Sequence, residues 1–250
     1  MTTFPSIAEI ETGALVSWPA LEEERDGAWL SRFSRGYSRR SNSVQSMDPA
    51  DDSNAEARLD AARARYAAHG LPACFRITPL AGPNTLAALD KQGWSVDDRN
   101  LVMAMPLRKS MRPVAALTQG FAHTDLDWAV LQTTMAGKRE GLEALQATLA
   151  LIKVPARAFI AYNQDIKPVA ANLVVNADGI AFLLNVVVDE DMRGLGYGRA
   201  IMHAGLNWAG QQGATTAALQ VQADNARAVG LYSSLGFTEQ YQYQYRQAPK

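Results

Sequence analysis

A run of apolar residues followed by alternating glycines most constrains how this chain can fold. The segment VVVDEDMRGLGYGRA, residues 186–200, has three valines before a charged stretch and glycines at every second position after it. Glycine permits backbone conformations and close approaches that a Cβ atom would prevent. A strand, a glycine turn and a helix start leave several backbone N–H groups without an intrahelical partner, in the field of the helix dipole. Such an arrangement is suited to hold an anion, and phosphate suits it best.

Two common phosphate-binding loops do not match this segment. A Walker loop requires Gly-Lys followed by Ser or Thr, and no such residues follow here. A dinucleotide fingerprint requires G-x-G-x-x-G after the first strand of a parallel βαβ unit. Here the spacing is G-x-G-x-G, and the preceding residues 165–190 are predicted to form an antiparallel hairpin that turns at residues 176–179. Both interpretations therefore fail on spacing and on context.

A second motif follows the glycine segment. The segment VQADNARAVGLYSSLGF, residues 221–237, joins a strand-like stretch to a short helix that ends at a glycine. Together with Arg193-x-x-Gly196-x-Gly198, it resembles the coenzyme A-binding motifs of the GNAT superfamily of N-acyltransferases. The residues of the second segment that carry the resemblance are Asn225, Ala228, Leu231, Tyr232, Gly236 and Phe237. The resemblance covers about residues 115–246. It implies an α/β (α+β) GNAT fold, with a mixed central sheet and flanking helices.

The resemblance also implies how acetyl-coenzyme A is bound. The main chain of Val186 and Val188 would pair with the pantetheine arm, and the N–H groups from Arg193 to Arg199 would hold the pyrophosphate. Tyr232 would protonate the leaving thiolate, and Asn225 would reach the pantetheine or acyl region as a second catalytic candidate. The predicted cofactor-binding residues are Val186, Val187, Val188, Arg193, Gly194, Leu195, Gly196, Tyr197, Gly198, Arg199, Asn225 and Tyr232.

The expected reaction is direct attack of an amine on the thioester in a ternary complex. Backbone N–H groups of the strand can polarise the carbonyl, and a tyrosine can donate a proton to the departing thiolate. The predicted acceptor is a primary amine of a small molecule or peptide. Two alternatives stay open: a non-catalytic module that binds or senses acyl-coenzyme A, and an acetyltransferase for protein lysines or N-termini. In structural terms alone, Tyr232 would be a core aromatic residue and Asn225 a helix N-cap.

The general base is not identified by the sequence. Asp189, Glu190 and Asp191 stand at the end of the strand, where acids are usually solvated. His123 and His203 have no acidic partner at motif spacing. Ordered water, or an acceptor that arrives neutral, is sufficient for the chemistry. The chain has no H-x-x-x-H or C-x-x-C spacing, so no metal is predicted.

A change of composition near residue 110 predicts two domains. Residues 105–120 hold two prolines, three basic residues and no acid. We expect an N-terminal domain at residues 1–110, with elements in the order α-β-α-β-α-β, and a catalytic domain at residues 111–250. The first half looks like the degenerate GNAT-like domain that precedes the active one in a bacterial tandem subgroup. This resemblance rests on Trp18-Pro19-Ala20, Asp26-Gly27, Arg32-Phe33, Gly36-Tyr37 and Arg40-Ser41-Asn42-Ser43.

The first half is expected to shape the acceptor site rather than to bind the cofactor. It has no glycine phosphate loop, so it should not bind coenzyme A in the usual way. We expect it to pack against the active half and to form a wall of the acceptor pocket. Arg40 and Asn42 of this wall, and Asn185 of the strand, are the candidate substrate contacts. Arg39 is more typical of a solvated basic turn.

The charge balance, the apolar segments and the cysteine content indicate which partners and which location to expect. Lys plus Arg number 24 and Asp plus Glu number 25, so no charge excess favours nucleic acid or an anionic membrane. No window approaches the roughly 20 apolar residues that span a bilayer. Cys74, the only cysteine, is predicted to be inert filling of a strand, and a reducing cytoplasmic location fits best. The Tyr/Gln alternation of residues 237–247 predicts a strand that, as a sheet edge, would allow a homodimer.

Overall fold

The computed structural model describes residues 4–107 and 116–249, so the predicted junction at residues 110/111 lies outside the described residues. The first half contains α1 (Ile7–Ser17), β1 (Glu22–Asp26), β2 (Trp29–Phe33), β3 (Val44–Ser46), α2 (Ala55–Ala68), β4 (Cys74–Ile77), α3 (Pro83–Lys91) and β5 (Ser95–Pro106). The second half contains β6 (Leu117–Ala122), α4 (Leu126–Met135), α5 (Leu142–Ala150), β7 (Ala156–Tyr162), β8 (Pro168–Ala177), β9 (Ile180–Val188), α6 (Tyr197–Gln211), β10 (Thr216–Gln222), α7 (Ala226–Leu235) and β11 (Thr238–Gln247). Short 3₁₀ turns occupy Arg39–Ser41, Arg139–Gly141 and Glu190–Met192.

The described strands form one mixed sheet whose order interleaves the two halves of the chain. The order is β1-β2-β3-β4-β11-β5-β10-β9-β8-β7-β6. The strand β11 lies between β4 and β5 and is antiparallel to both. The strand β5, from the first half, lies between β11 and β10 and is antiparallel to both. Each half therefore contributes a strand that pairs with a strand of the other half.

The same succession of elements occurs in both halves. The elements β3, α2, β4, α3 and β5 correspond in order to β9, α6, β10, α7 and β11. In each set the first two strands are parallel neighbours and the last strand is antiparallel to its partners. This correspondence supports the interpretation as a tandem chain, while the division at residue 110 stays a prediction.

An acidic segment in the first half stands where the second half has its glycines. The carboxylate of Asp52 accepts hydrogen bonds from the backbone nitrogens of Asn84 (2.6 Å) and Thr85 (2.7 Å) at the start of α3. The carboxylates of Asp51 and Asp52 precede α2, which corresponds to α6, and their negative charge disfavours a phosphate at that position. This geometry supports the expectation that the first half does not bind coenzyme A in the usual way.

The structure agrees with the hairpin prediction and corrects the prediction for the last strand. The strands β8 and β9 pair antiparallel and turn at Asp178 and Gly179, which both have positive φ. The last strand was expected to be a free edge, but β11 is paired on both sides. That argument for a homodimer is therefore wrong, because the backbone groups of β11 are already used within the chain. The strands β1, β3 and β6 were not anticipated.

Hydrophobic clusters cover both faces of the sheet in the second half. One cluster packs α1, α4 and α5 on one face, and a second packs α6 and α7 on the other. A third cluster packs α2 and α3 against strands of the first half. Cys74 is buried in β4, and burial raises the pKa of its thiol to about 12, as expected for an inert buried thiol.

A buried ion pair ties α1 to strands from both halves. Glu11 on α1 and Arg76 on β4 are 1% and 2% exposed, and Arg76 Nη2 donates to Glu11 Oε1 at 3.1 Å. The hydroxyl of Tyr241 on β11 donates to the same carboxylate oxygen. The guanidinium of Arg76 also stacks over the ring of Tyr243 at 3.9 Å. Because buried charges are costly without partners, this network favours one arrangement of α1, β4 and β11.

Candidate active site

The candidate cofactor cleft opens where two parallel strands diverge. The strands β9 and β10 pair only through Ile180–Phe182 and Thr216–Ala218. Beyond Phe182, β9 continues to Val188 and stays paired with β8 alone. The end of β9 therefore has backbone groups without a partner on β10, as the pairing with a pantetheine arm requires.

A β-bulge lies at this point of β9. Asn185 and Val186 together stand opposite Asn172 on β8, and Asn185 has a φ of +50°. Asn172 Nδ2 donates to the carbonyl oxygen of Ile201 at 2.9 Å, which anchors α6 against β8. A bulge bends a strand and re-aims its side chains. The bulge therefore interrupts the regular alternation of β9 at Asn185 and Val186.

The glycine segment has the geometry of an anion-binding loop. Gly194 and Gly196 have φ values of +84° and +89°, which a residue with a Cβ atom rarely adopts. Gly196 caps α6 without a side-chain hydrogen bond, and the first intrahelical bond runs from Ala200 N to Gly196 O at 3.0 Å. The backbone N–H groups of residues 197–199 therefore lack intrahelical partners. At Gly198 a Cβ atom would lie 3.0 Å from Leu231 Cδ2, so glycine lets α6 and α7 approach closely.

Most of the predicted cofactor-binding residues line one cleft of about 720 Å³. They are Val186, Val187, Val188, Arg193, Gly194, Gly196, Gly198, Arg199, Asn225 and Tyr232. Leu195 and Tyr197 do not line it: Leu195 is 66% exposed, and Tyr197 is the first residue of α6. The structure adds Arg227, Ala228 and Leu231 to the lining. A volume of this size is within the range of small-molecule sites.

Three arginines give the cleft its charge. Arg193 pairs with Glu190 at 3.4 Å and donates from Nε to the carbonyl oxygen of Val188 at 3.3 Å. Arg199 donates to Ser234 Oγ at 2.7 Å. Arg227 is exposed and forms no ion pair with any described residue. Arg227 was not predicted from the sequence, although a basic residue in the first turn of the helix after β10 was a readable signal for an anion.

Asn225 and Tyr232 lie on α7, at the cleft. Asn225 is the N-cap of α7, because its side-chain oxygen accepts from Ala228 N at 3.1 Å. Capping and cofactor contact are compatible, since Asn225 also lines the cleft. Tyr232 is 7% exposed, and burial raises the pKa of its phenol to about 12. The phenol is therefore protonated at neutral pH, as a proton donor must be.

A second cavity lies beside Asn185, on the side of α1. Its volume is about 360 Å³. Its side-chain lining comes from both halves of the chain and includes Trp18, Tyr37, Arg39, Arg40, Lys138 and Asn185. Residues of the first half therefore line this cavity, and its use as an acceptor pocket stays a prediction. Trp18, Tyr37 and Lys138 were not anticipated, because no local pattern brings them together.

Asn42 and Arg39 both bond to other residues of the first half. Asn42 does not line this cavity: its side-chain oxygen accepts from Ser34 N (2.7 Å) and Gly36 N (3.1 Å), and Nδ2 donates to Ser38 O (2.7 Å). Asn42 thus holds the turn that presents Tyr37, and we do not include it in the proposed acceptor site. Arg39 is not simply solvated, since it pairs with the carboxylates of β5.

The remaining ionisable candidates are not in the lining of either cavity. Asp189 caps a 3₁₀ turn by accepting from Asp191 N at 3.1 Å, and Glu190 pairs with Arg193. Neither His123 nor His203 lines either cavity. Within residues 4–107 and 116–249, no group of three or more His, Cys, Asp and Glu side chains is placed to hold a metal ion. In the same ranges, no helix has the length and apolar character needed to cross a membrane.

Comparison with known proteins identifies the family and the fold of the chain. A family model described as "Probable histone acetyltransferase Rv0428c C-terminal" matches residues 5–246. The chain is 29% identical over 256 residues to the uncharacterized N-acetyltransferase YobR of Bacillus subtilis (strain 168), which covers 96% of this chain and 98% of that protein. A GCN5-related N-acetyltransferase from Kribbella flavida superposes with a TM-score of 0.76 at 17% identity, over 99% of this chain and 97% of that one. A tandem GNAT protein from the clavulanic acid biosynthesis pathway superposes with a TM-score of 0.66 at 13% identity, over 98% and 89% of the two chains.

The fold is that of a GNAT N-acetyltransferase, the enzyme class named for the relatives from Bacillus subtilis and Kribbella flavida. The chain belongs to the GNAT family represented by the matching model, which spans nearly its whole length. The predicted fold class and the predicted enzyme class are thereby confirmed.

Proposed function

We propose that this protein transfers the acetyl group of acetyl-coenzyme A to a primary amine, in a ternary complex. The observation that carries the proposal is the opening of the β9/β10 gap onto the N-terminus of α6, with Tyr232 in the same cleft. Free amides at residues 197–199 and the positive φ of Gly194 and Gly196 fit a diphosphate, which needs donors and a close backbone approach. When bound, the cofactor supplies an activated acyl thioester.

The end of β9 would contact both substrates, the cofactor on the side of the cleft and the amine on the side of the second cavity. The main chain at Val186 and Val188 would pair with the pantetheine arm, since β10 does not occupy this part of β9. The arginines Arg193, Arg199 and Arg227 would surround the phosphates. The amine acceptor would enter from the second cavity, beside Asn185.

The proposed reaction is a direct transfer. The amine nitrogen forms a bond to the thioester carbonyl carbon, and the carbon–sulfur bond breaks with its electron pair on sulfur. Tyr232 donates its phenolic proton to this sulfur, and the proton lost by the amine returns through solvent to the phenolate. The products are an N-acetyl amide and the free thiol. Backbone N–H groups at the end of β9 would polarise the carbonyl oxygen.

An acetyltransferase for protein lysines is the alternative that the family description suggests. A lysine-rich tail would favour an acidic groove. The second cavity has no carboxylate in its lining and three basic side chains, Arg39, Arg40 and Lys138. The positive charge of this lining disfavours a lysine-rich tail as the acceptor. A non-catalytic module that binds acyl-coenzyme A is the other alternative, and a reaction assay separates it from an enzyme.

The test combines binding and turnover in one set of proteins. Wild-type protein and Tyr232→Phe are titrated with acetyl-coenzyme A by calorimetry and then assayed for acetylated product with a panel of amines. We expect both proteins to bind the cofactor and only wild type to turn over efficiently. Binding without turnover of any amine by wild type would favour the non-catalytic module. A lack of binding by wild type would contradict the proposal.

The proposal includes the organisation and location of the chain. We propose that residues 1–110 form a degenerate GNAT-like domain that walls the acceptor site, and that residues 111–250 carry the cofactor cleft. The single buried cysteine supports a reducing, cytoplasmic location. The balanced overall charge supports a small-molecule or peptide partner rather than nucleic acid or a membrane.

A further inference from the structure

The acceptor cavity is rich in hydrogen-bond donors that lack partners. Trp18 Nε1, Arg40 Nη1 and Asn185 Nδ2 are buried, and none has a hydrogen-bond partner among the described residues. All three side chains belong to the lining of the same cavity. A buried donor without an acceptor is costly, so such groups are usually satisfied by a ligand or by water. A ligand with several acceptor atoms in this cavity would supply partners for such donors.

The net charge of the cavity lining also favours a ligand that accepts hydrogen bonds. Arg39 is balanced by Asp97, at 2.6 Å, and by Asp98. Arg40 and Lys138 form no ion pair with any described residue, and no carboxylate lines the cavity. The nearby acid Glu140 is exposed and outside the lining. Two positive charges are consequently left over, and an anion would complement them.

A buried arginine and a tryptophan ring fix the position of Arg40. Arg32 is 1% exposed, and it donates to the carbonyl oxygens of Arg40 (2.9 Å) and Trp18 (2.6 Å). The guanidinium of Arg40 also lies over the ring of Trp18, at 5.4 Å from the ring centroid. The donors are thus fixed before a ligand arrives, which reduces the ordering that binding requires.

We propose that this cavity binds an anionic group of the acceptor, so the substrate is a small amine that also carries a carboxylate or a phosphate. The inference rests on the proposed function, because it assigns the acceptor of the same reaction. The volume of about 360 Å³ suits a compact molecule of the size of an amino acid or a phosphorylated amine. Asn185 adjoins Val186, so an anion held at Arg40 leaves the amine of such a molecule close to the β9/β10 gap.

The experiment compares amines that differ only in the anionic group. The standard L-amino acids are paired with their carboxamides, and phosphoethanolamine is paired with ethanolamine. Acetylated product is measured by mass spectrometry with full-length protein. We expect at least one anionic amine to have a kcat/KM about tenfold or more above that of its neutral counterpart, because a buried donor left unpaired penalises the neutral analogue. The amino acid and phosphate arms distinguish the two sources of the anion.

Matched variants locate the effect in the cavity. For the preferred acceptor, Arg40→Gln and Lys138→Gln should each raise KM about tenfold, with kcat nearly unchanged. The control Arg139→Gln removes a neighbouring charge whose side chain bonds to Thr134 Oγ1 outside the cavity. It should leave KM unchanged. Lys138 is exposed, so its variant keeps the test valid if Arg40→Gln folds poorly.

Two results would overturn the inference while leaving the proposed function intact. One is equal use of the neutral counterparts, with KM unaffected by Lys138→Gln. The other is acetylation of no anionic amine in the panel by a protein that binds acetyl-coenzyme A in a parallel titration. Failure of wild type to bind acetyl-coenzyme A would overturn the inference together with the proposed function.

Discussion

Asn185 and Val186 are consecutive residues of β9, and they line different cavities. Val186 belongs to the cleft at the start of α6, whereas Asn185 belongs to the cavity walled by the first half. A bulge opposite Asn172 and a positive φ at Asn185 lie at this same point of β9. One strand end thus separates the proposed cofactor site from the proposed acceptor site. A reaction between the two ligands would take place at the gap between β9 and β10.

Tyr232→Phe tests the proposed proton donor. We expect kcat to fall about 10²-fold or more, with little change in acetyl-coenzyme A affinity, because the ring is kept and only the hydroxyl group is lost. Steady-state kinetics and calorimetry measure the two quantities. Phe237, whose ring packs 6.1 Å from that of Tyr232, offers a control: Phe237→Leu alters the packing and leaves the hydroxyl. A Tyr232→Phe enzyme with wild-type kcat would contradict the assignment.

The raised pKa of Tyr232 predicts a pH profile. Burial raises the pKa of the phenol to about 12, so the proton-donating form persists above the ordinary tyrosine pKa of about 10. The kcat of wild type should therefore show no loss on the alkaline side with an apparent pKa near 10. The same shift adds stability that is complete below pH 10 and is lost as the pH rises through about 12. A kcat decline centred near pH 10, absent in Tyr232→Phe, would show that the phenol titrates normally.

Gly196→Ala and Gly213→Ala separate backbone strain from cofactor binding. The two glycines have similar φ values, +89° and +81°, and an added Cβ atom would meet nothing within 4 Å at either position. Both variants should lower the free energy of unfolding by roughly 1 kcal/mol. Only Gly196→Ala should weaken acetyl-coenzyme A binding, by about tenfold, because it disturbs the loop before the free amides of α6. Equal affinities of the two variants would argue against the loop as the phosphate site.

Glu11→Gln tests the buried network that joins the halves. The change leaves the charge of Arg76 buried without its carboxylate partner, so the free energy of unfolding should fall by about 3–5 kcal/mol. Glu143→Gln is the matched control, since the pair of Glu143 with Arg35 is exposed and a surface pair contributes about 0–1 kcal/mol. Denaturant unfolding gives both values. Similar small losses in the two variants would mean that the buried pair is not needed for stability.

A chain cut at the predicted junction tests the exchange of strands. The fragment 1–110 should show no cooperative unfolding, because β5 would lose both β10 and β11 as partners. Mixing it with the fragment 111–250 should restore a cooperative transition. Circular dichroism during thermal unfolding measures the result, with the uncut chain as reference. Cooperative unfolding of the first fragment alone would show that each half is complete by itself.

Local patterns in the sequence predicted the elements that form the proposed cofactor cleft. The glycine segment, the hairpin before it and the N-cap at Asn225 depend on neighbouring residues, so spacing and residue type are enough to predict them. The arrangement of strands was not predictable in this way. Pairing of β5 with β10 and β11 joins residues more than 100 positions apart, and no periodicity in either segment specifies its partner.

Local patterns were also insufficient to predict the edge strand of the first half and the lining of the proposed acceptor cavity. The strand β1 has the sequence EEERD, which lacks the apolar alternation of a typical strand. It is held at the sheet edge by its ladder with β2 and by ion pairs such as Glu23–Arg32. Likewise, Trp18 and Lys138 line the proposed acceptor cavity together only because the two halves pack together. Arg40 was identified by resemblance alone, and its unpaired buried nitrogen became visible only in the structure.

The most direct test is a crystal structure of the wild-type protein grown with coenzyme A. The account predicts density for the diphosphate within hydrogen-bond distance of the backbone nitrogens of residues 197–199, with the pantetheine arm beside Val186 and Val188 and the sulfur near the hydroxyl of Tyr232. A cofactor bound elsewhere, with the N-terminus of α6 free of any phosphate, would contradict it.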